Sequence, residues 1–457
     1  MERRFAARLQ EMLAQAEVSP ELARGLFTRL EQFVAPFADS WKQPEQRRHA
    51  TEYLTGLLSN LKRKTGEGIA YLLDQHRQGL PKFLGDAPWD HAPRLATLTR
   101  QVGRQLGDPD AVIVFDPSGF PKKGDRSVGV ARQWCGRIGK VDNCQICVYA
   151  AYVSFKGHAL VNMRLYVPEE WARDRSRRQA AGVPKSVAFR TRHELALEML
   201  AECGTERPHA WVAGDDEMGR PASFRRKLNG LTQRYLLAVP SNTLIRDRDA
   251  PPPEYSGRGR RPKNPFSQVN RWRAALPAGA WTRIEVRDGE KGPLTIDAVK
   301  RRARARTETG GEGPDETLFI TRELQSDQTY KLDYYLSNAK DNVSLHELAR
   351  VAKAAHRIEE CFERAKGEAG LADYQVRNWD AWHRHQTLSL MAAWFLNEET
   401  RRGKNPDSGT DLAATARVDR GTNRAPARHQ PTTEVVSPQH PLAATQRASS
   451  VLLPSFT

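Results

Sequence analysis

The spacing of apolar positions divides the chain into a helical opening, an alternating α/β middle and an aperiodic end. Up to about residue 108 the apolar residues recur at helical spacing. Leu22, Leu26, Leu30 and Phe33 follow Ser19-Pro20-Glu21, an N-cap with proline in the first turn. Helical periodicity resumes over 47–64, pauses at Thr65-Gly66-Glu67-Gly68 and continues to Phe83. A glycine-containing turn beside Lys62-Arg63-Lys64 fits a helix-turn-helix or an ordinary helical hairpin, and the hairpin is the commoner structure. From Ala111 the period shortens. Residues 111–116 read as a buried strand ended by a turn at Pro117-Ser118-Gly119, and 143–153 with 160–167 complete a three-strand meander. A helix over 190–203, a strand over 210–215, a helix over 221–228 and a strand over 235–239 follow. Strand, helix and strand of these lengths predict parallel pairing and an α/β core.

The longest helical pattern runs from Ser344 to Gly370. Ser344 and Glu347 predict a capping box, in which each side chain serves a backbone donor of the first turn, and Gly370 ends the helix. Leu345, Leu348, Val351, Ala352, Ala355, Ile358, Phe362 and Ala365 form one stripe at about 100° per residue. Glu359 lies about 45° from the centre of that stripe and Glu360 about 145°, so adjacent acids point in different directions. Glu359 sits on the shoulder of the buried face, and Glu360 faces water. A further helix is predicted over 379–399, carrying Trp382, Leu388, Met391, Ala392 and Phe395.

Between the α/β middle and these helices, residues 240–316 read as an insertion with exposed basic segments, including 258–263 and Lys300-Arg-Arg-Ala-Arg-Ala-Arg306, because blocks of like charge do not pack. The expected organisation is a helical N-terminal region (1–108), an α/β core in two parts (109–239 and 317–400), the basic insertion (240–316) and a disordered tail (401–457) rich in Ala, Thr, Ser, Pro and Arg.

Charge and cysteine narrow the function. With 71 Lys and Arg against 55 Asp and Glu, the net charge of +16 favours a polyanionic partner, most often nucleic acid. The first residues lack a signal-peptide core and no apolar run reaches the ~20 residues of a membrane span, which predicts an intracellular protein with no membrane partner. Five cysteines are too few for a disulfide framework at this length. Cys144-Gln-Ile-Cys147 has zinc-knuckle spacing but no second pair, and in a strand the two would face opposite sides.

Asp116 and Asp215 each stand at the end of a predicted buried strand, where open α/β sheets place ligand sites, and Glu359 comes from a helix that packs on such a sheet. Three carboxylates brought together repel one another unless a divalent cation neutralises them, and hard oxygen donors suit magnesium or manganese. Two such ions serve phosphodiester chemistry. Each acid also has a plain structural reading: Asp116 as a turn former, Asp215 as a helix cap, Glu359 as the partner of Lys366.

In its motifs the chain resembles the DDE transposases of bacterial insertion sequences, in the group that carries a Glu followed seven residues later by Lys. Asp116-Pro-Ser-Gly-Phe-Pro-Lys-Lys-Gly124, with 127–136 and 139–145, is similar to the first-acid segment. Trp211-Val-Ala-Gly-Asp-Asp-Glu-Met-Gly219 is similar to the second, and Arg357-Ile-Glu-Glu-Cys-Phe-Glu-Arg-Ala-Lys366 to the third. The resemblance implies an RNase H-like mixed α/β sheet flanked by helices, with a helical N-terminal DNA-binding region and a β-containing basic insertion. It implies Asp116, Asp215 and Glu359 as the catalytic acids holding two Mg2+ or Mn2+ ions, with Lys122, Lys123, Arg132 and Lys366 binding DNA phosphates. It further implies double-stranded DNA as partner, both terminal inverted repeats and target, a homodimer on that DNA, and action in the cytoplasm on the nucleoid. Where the group carries Tyr and Arg ahead of its Glu, this chain has Ala352 and Ala355, leaving His356 or Arg357 to take their part. The rivals are an RNase H-like nuclease or resolvase without strand transfer, and a non-catalytic DNA-binding protein.

Overall fold

A computed structural model describes residues 20–203, 207–289 and 292–403. The tail expected to be disordered lies outside the described residues from 404 on, as does the Ser19 cap. Helices α1 (Pro20–Ala38), α2 (Pro44–Leu57), α3 (Gly66–Leu72), α4 (Gly79–Gly85) and α5 (Ala92–Leu106) come first. The helix expected over 47–64 stops at Leu57. The chain turns there because Lys64 is drawn inward, its Nζ donating to the carbonyl of Leu57 at 2.7 Å and to that of Glu368. Thr65 then caps α3 by accepting from Gly68 N.

Strands β1 (Val112–Pro121), β2 (Ala131–Cys135), β3 (Lys140–Ser154) and β4 (Gly157–Leu165) build one half of the sheet. Beyond two short helices, α6 (Glu169–Arg173) and α7 (Arg175–Ala180), the chain forms α8 (Arg192–Ala201), β5 (Trp211–Gly214), α9 (Asp216–Gly219), α10 (Ala222–Gly230) and β6 (Tyr235–Ala238). Strand β1 is central. It pairs antiparallel with β3 and parallel with β5, which in turn pairs parallel with β6. The far edge of β3 is shared by β4 and β2. An antiparallel meander continued by two parallel strands, in the order β4-β3-β1-β5-β6, is the RNase H-like mixed sheet.

The turn expected at Pro117-Ser118-Gly119 is absent, since β1 stays in register with β3 as far as Pro121 opposite Cys144. Past Gly214 β5 no longer flanks β1, and an open strand edge tolerates proline. Gly119 is required for packing instead of turning: a Cβ there would stand 2.7 Å from Cys135 Sγ.

The insertion extends the same sheet. It contains β7 (Leu244–Asp247), β8 (Ser267–Gln268), α11 (Val269–Ala274), β9 (Thr282–Gly289) and β10 (Gly292–Ala305), followed by β11 (Glu316–Leu324) and β12 (Tyr330–Ser337), and β12 pairs with β6. The basic run 300–306 belongs to strand β10 and the residue that follows it, contrary to its reading as an exposed segment. Ala303 and Ala305 are buried, while Arg302 meets Asp249 at 2.7 Å and Arg304 meets Asp315 at 2.6 Å, so the cations alternate outward with acids to pair with.

The long helix expected over 344–370 is two, α12 (Leu345–Ala355) and α13 (Arg357–Gly367), with a break at His356. Ser344 caps α12 by accepting from Glu347 N, but the reciprocal half of the capping box is missing. Glu347 instead accepts from Trp211 Nε1 at 2.7 Å and pairs with Arg350, pinning α12 to β5. Finally α14 (Trp379–Gly403) runs through the interior. Residues 381–392 are buried on every side, and most of their polar groups are matched: Arg384 donates to the carbonyls of Trp89 and Leu84, His385 bonds Tyr53, and Tyr149 donates to Gln386, while the Thr387 hydroxyl has no partner among the described residues. The N-terminal helices on one side of α14 and the sheet on the other therefore share one hydrophobic core.

Candidate active site

Asp116 and Asp215 stand side by side by construction. The last paired residues of the parallel strands β1 and β5 are Phe115 and Gly214, and each aspartate is the next residue on its strand. Adjacent strands run about 4.8 Å apart. The motif around Asp215 is shaped by close packing. Gly214 leaves room for Met218, whose Cβ would be 2.9 Å from an added Cβ, and Gly219 lies against the carbonyl of Ala238 on β6. Asp215 caps α9, accepting from Met218 N at 3.0 Å, so its plain structural reading holds and yet leaves it at the site.

Both aspartates are half-buried, and both carboxyls are pushed up from the ordinary range. For Asp116 the value reaches about 7, through burial first, opposed by the cation of Lys366 and reinforced by the charges of Glu359, Glu217 and Asp216. Asp215 is raised by burial and then by Asp116 and Glu217. An acidic pocket with one nearby cation binds protons more tightly than an isolated carboxylate would.

Helix α13 supplies the remaining groups. Glu359 is exposed on its first turn and acts electrostatically on Asp116, whereas Glu360 points elsewhere, accepting from Arg357 at 2.6 Å and standing 3.5 Å from His158. Among the described residues no three His, Cys, Asp and Glu side chains are gathered closely enough to form a ready metal-binding group. Lys366 reaches β1, donating to Ser118 Oγ at 2.7 Å above the ring of Phe362, and burial lowers its ammonium to about 8 against the opposing pull of Asp116. Local sequence marks Ser118 only as a turn residue and not as the lysine's partner.

Lys122 lies over the ring of Tyr374 at 3.3 Å, with burial lowering it to about 7. With exposed Lys123 it lines a groove of about 750 Å³ whose other walls include Arg63, Thr65 and Arg377. Arg132 is exposed on β2, apart from the carboxylates. His356 is half-buried near Asp333, and Arg357 faces the cleft beside Phe155 and His158, so neither is directed at Asp116. Cys144 packs with Cys135 and Ile146 while Cys147 joins the main core, on opposite faces of β3.

The mixed sheet thus carries one aspartate on β1 and another directly after β5. The chain belongs to the DDE superfamily endonucleases, which its residues 36–293 match, a span that includes Asp116 and Asp215 and ends before Glu359. Over 206 residues it is 32% identical to the probable transposase for insertion sequence element IS701 of Microchaete diplosiphon, a match covering 43% of this chain and 50% of that protein. The chain thus spans about half the length of that relative. A solved piggyBac transposase synaptic complex with hairpin DNA is similar over 82% of this chain and 70% of that one, at 10% identity and a TM-score of 0.36. Among the described residues no helix is long and apolar enough to cross a membrane.

Proposed function

We propose that this protein is the transposase of a bacterial insertion sequence, cutting DNA strands at the ends of the element and joining the freed 3′-hydroxyls to target DNA. The observation that carries the reading is the pair Asp116 and Asp215 where β5 ends, with the charges of Glu359 and Lys366 both acting on Asp116. The likeness to a probable insertion-sequence transposase supports it. The donor set fits hard divalent cations, because these carboxylates repel one another and carry oxygen ligands only. Asp116, Asp215 and Glu359 would hold two Mg2+ or Mn2+ ions, which when bound supply an activated attacking oxygen and stabilise the leaving one.

The protein's own side chains position the DNA. Lys366, anchored through Ser118, holds a phosphate beside Asp116, and a phosphate there keeps its ammonium charged. Lys122 and Lys123, joined by Arg63 of the N-terminal helical region and by Arg377, line the groove that carries the backbone onward. Arg132 contacts phosphate farther out. The partners are the terminal inverted repeats and target duplex, engaged by a homodimer on the nucleoid in the cytoplasm.

Strand cleavage of a labelled element end in magnesium tests this reading. Glu359→Gln should abolish cleavage with an unchanged circular dichroism spectrum, and Glu360→Gln should cut like the wild type. The reverse pattern would refute the assignment of Glu359. Pre-cut ends supplied with a plasmid should give joined products, and cleavage without joining would make the protein a nuclease or resolvase.

A further inference from the structure

The hairpin formed by β2 and β3 ends in a tongue with an unusual surface. Trp134 is 54% exposed, Val141 49% and Ile138 39%, three large apolar side chains within eight residues. Trp134 and Val141 are directly paired across the strands, and the one-turn 3-10 helix Gly136–Ile138 makes the tip, closed by Gly139 at φ 64°. The same stretch, residues 131–143, carries Arg132, Arg137 and Lys140 against the single acid Asp142. An apolar patch in a cationic frame suits neither bulk water nor a hydrophobic partner.

The hairpin curls back over β1, which brings its tip close to the carboxylate strand: a Cβ at Gly119 would stand 2.7 Å from Cys135 Sγ and 3.5 Å from Cys135 Cα. At the base of the hairpin, Asn143 donates to the carbonyls of Lys122 and Gly124, tying the lysine loop to it. Arg137 adds its charge to the surroundings of Lys366.

We propose that the β2–β3 tongue is a DNA contact, seated on the duplex close to the phosphate held at Asp116. Trp134, with Val141 and Ile138, packs against sugars and base edges in the minor groove, where apolar side chains serve as wedges. Arg137 and Lys140 bind the flanking phosphates. The proposal rests on the transposase reading and adds to it a position and a mode of contact. The excess of cations, and a tip close to the carboxylate strand, favour DNA over a second copy of the chain pairing on the free edge of β2.

The test is fluorescence anisotropy of the full chain with a labelled duplex of about 40 base pairs from either flank of its coding sequence, long enough to span site and tongue. Trp134→Ala should weaken binding about tenfold with the salt slope unchanged, and Trp134→Phe should recover part of the loss. Arg137→Gln with Lys140→Gln should flatten the log-log salt slope by about 1.8, two phosphates' worth. Wild-type affinity in Trp134→Ala would overturn the tongue assignment and leave the transposase reading standing. A wild-type protein that binds no duplex would overturn both. Conversion of the DNA-free protein from dimer to monomer by Trp134→Ala, in sedimentation, would assign the tongue to a second copy and overturn the DNA contact.

Discussion

Removing one of the paired aspartates should make the metal-free protein more stable, and the effect should depend on pH in a defined sense. Asp116 is held at about 7 in the folded protein, against an ordinary 3.8. At about 1.4 kcal/mol per tenfold change, that difference corresponds to about 4 kcal/mol of penalty on the charged form. The folded state binds the proton more tightly than the unfolded chain does. Stability is therefore greatest below pH 3.8 as far as this group is concerned, falls as pH rises towards 7, and stays low above it. Asp116→Asn cannot ionise and escapes the penalty. About 380 described residues unfold with an entropy near 0.8 kcal/mol per degree, so the variant should melt about 5 °C higher than the wild type at pH 8 without metal. Coupling to Asp215 and partial exposure make this an upper bound. At pH 4 the two melting temperatures should converge. Magnesium at pH 8 should raise the melting temperature of the wild type by binding to the native state, and Asp116→Asn combined with Asp215→Asn should abolish that rise. Differential scanning calorimetry of chelator-treated protein measures all of this. A variant that melts below the wild type at pH 8, or keeps its advantage at pH 4, would refute the argument that buried like charges dominate the site.

Two further outcomes follow from packing. Gly219→Ala places a methyl group against the carbonyl of Ala238, a backbone atom that cannot swing aside, so α9 and its cap Asp215 must shift. The expected loss is about 2 kcal/mol, read by thermal melting together with a smaller stabilisation by magnesium. Glu316→Ala strands the buried guanidinium of Arg225, which donates to Glu316 at 2.8 Å, and removes the acceptor of the Tyr235 hydroxyl at 2.7 Å. A cost of about 3–5 kcal/mol is expected in urea titration, and a loss below 1 kcal/mol would show that water replaces the carboxylate.

What could be read before the structure was known is what depends on local pattern. The apolar runs of β1, β3 and β4 and the apolar stripe of α12 and α13 record burial directly, and the α/β core followed from them. The two aspartates stand where strand patterns end, and the two glutamates of α13 diverge as their angular positions require. What local pattern cannot carry is partnership between distant segments. Glu347 looks like a capping residue until Trp211, from another strand, claims its carboxylate. Lys64 looks like part of a basic surface run until its two backbone acceptors draw it inside. The run 300–306 looks too charged to pack because its neutralising acids, Asp249 and Asp315, lie elsewhere in the sequence. Pro117-Ser118-Gly119 has the composition of a turn, and only the shortness of β5 explains why β1 passes straight through it.

The burial of α14 between the N-terminal helices and the sheet has a consequence for how such genes decay. Arg384 is held by carbonyls of the Leu84–Trp89 segment and His385 by Tyr53, so the polar interior of α14 is completed from the first hundred residues. A gene copy that loses its 5′ end would not encode a shortened enzyme or a free DNA-binding fragment. It would encode a chain with unmatched charges where its core should be, and that chain would be cleared by proteolysis before it could compete with intact copies.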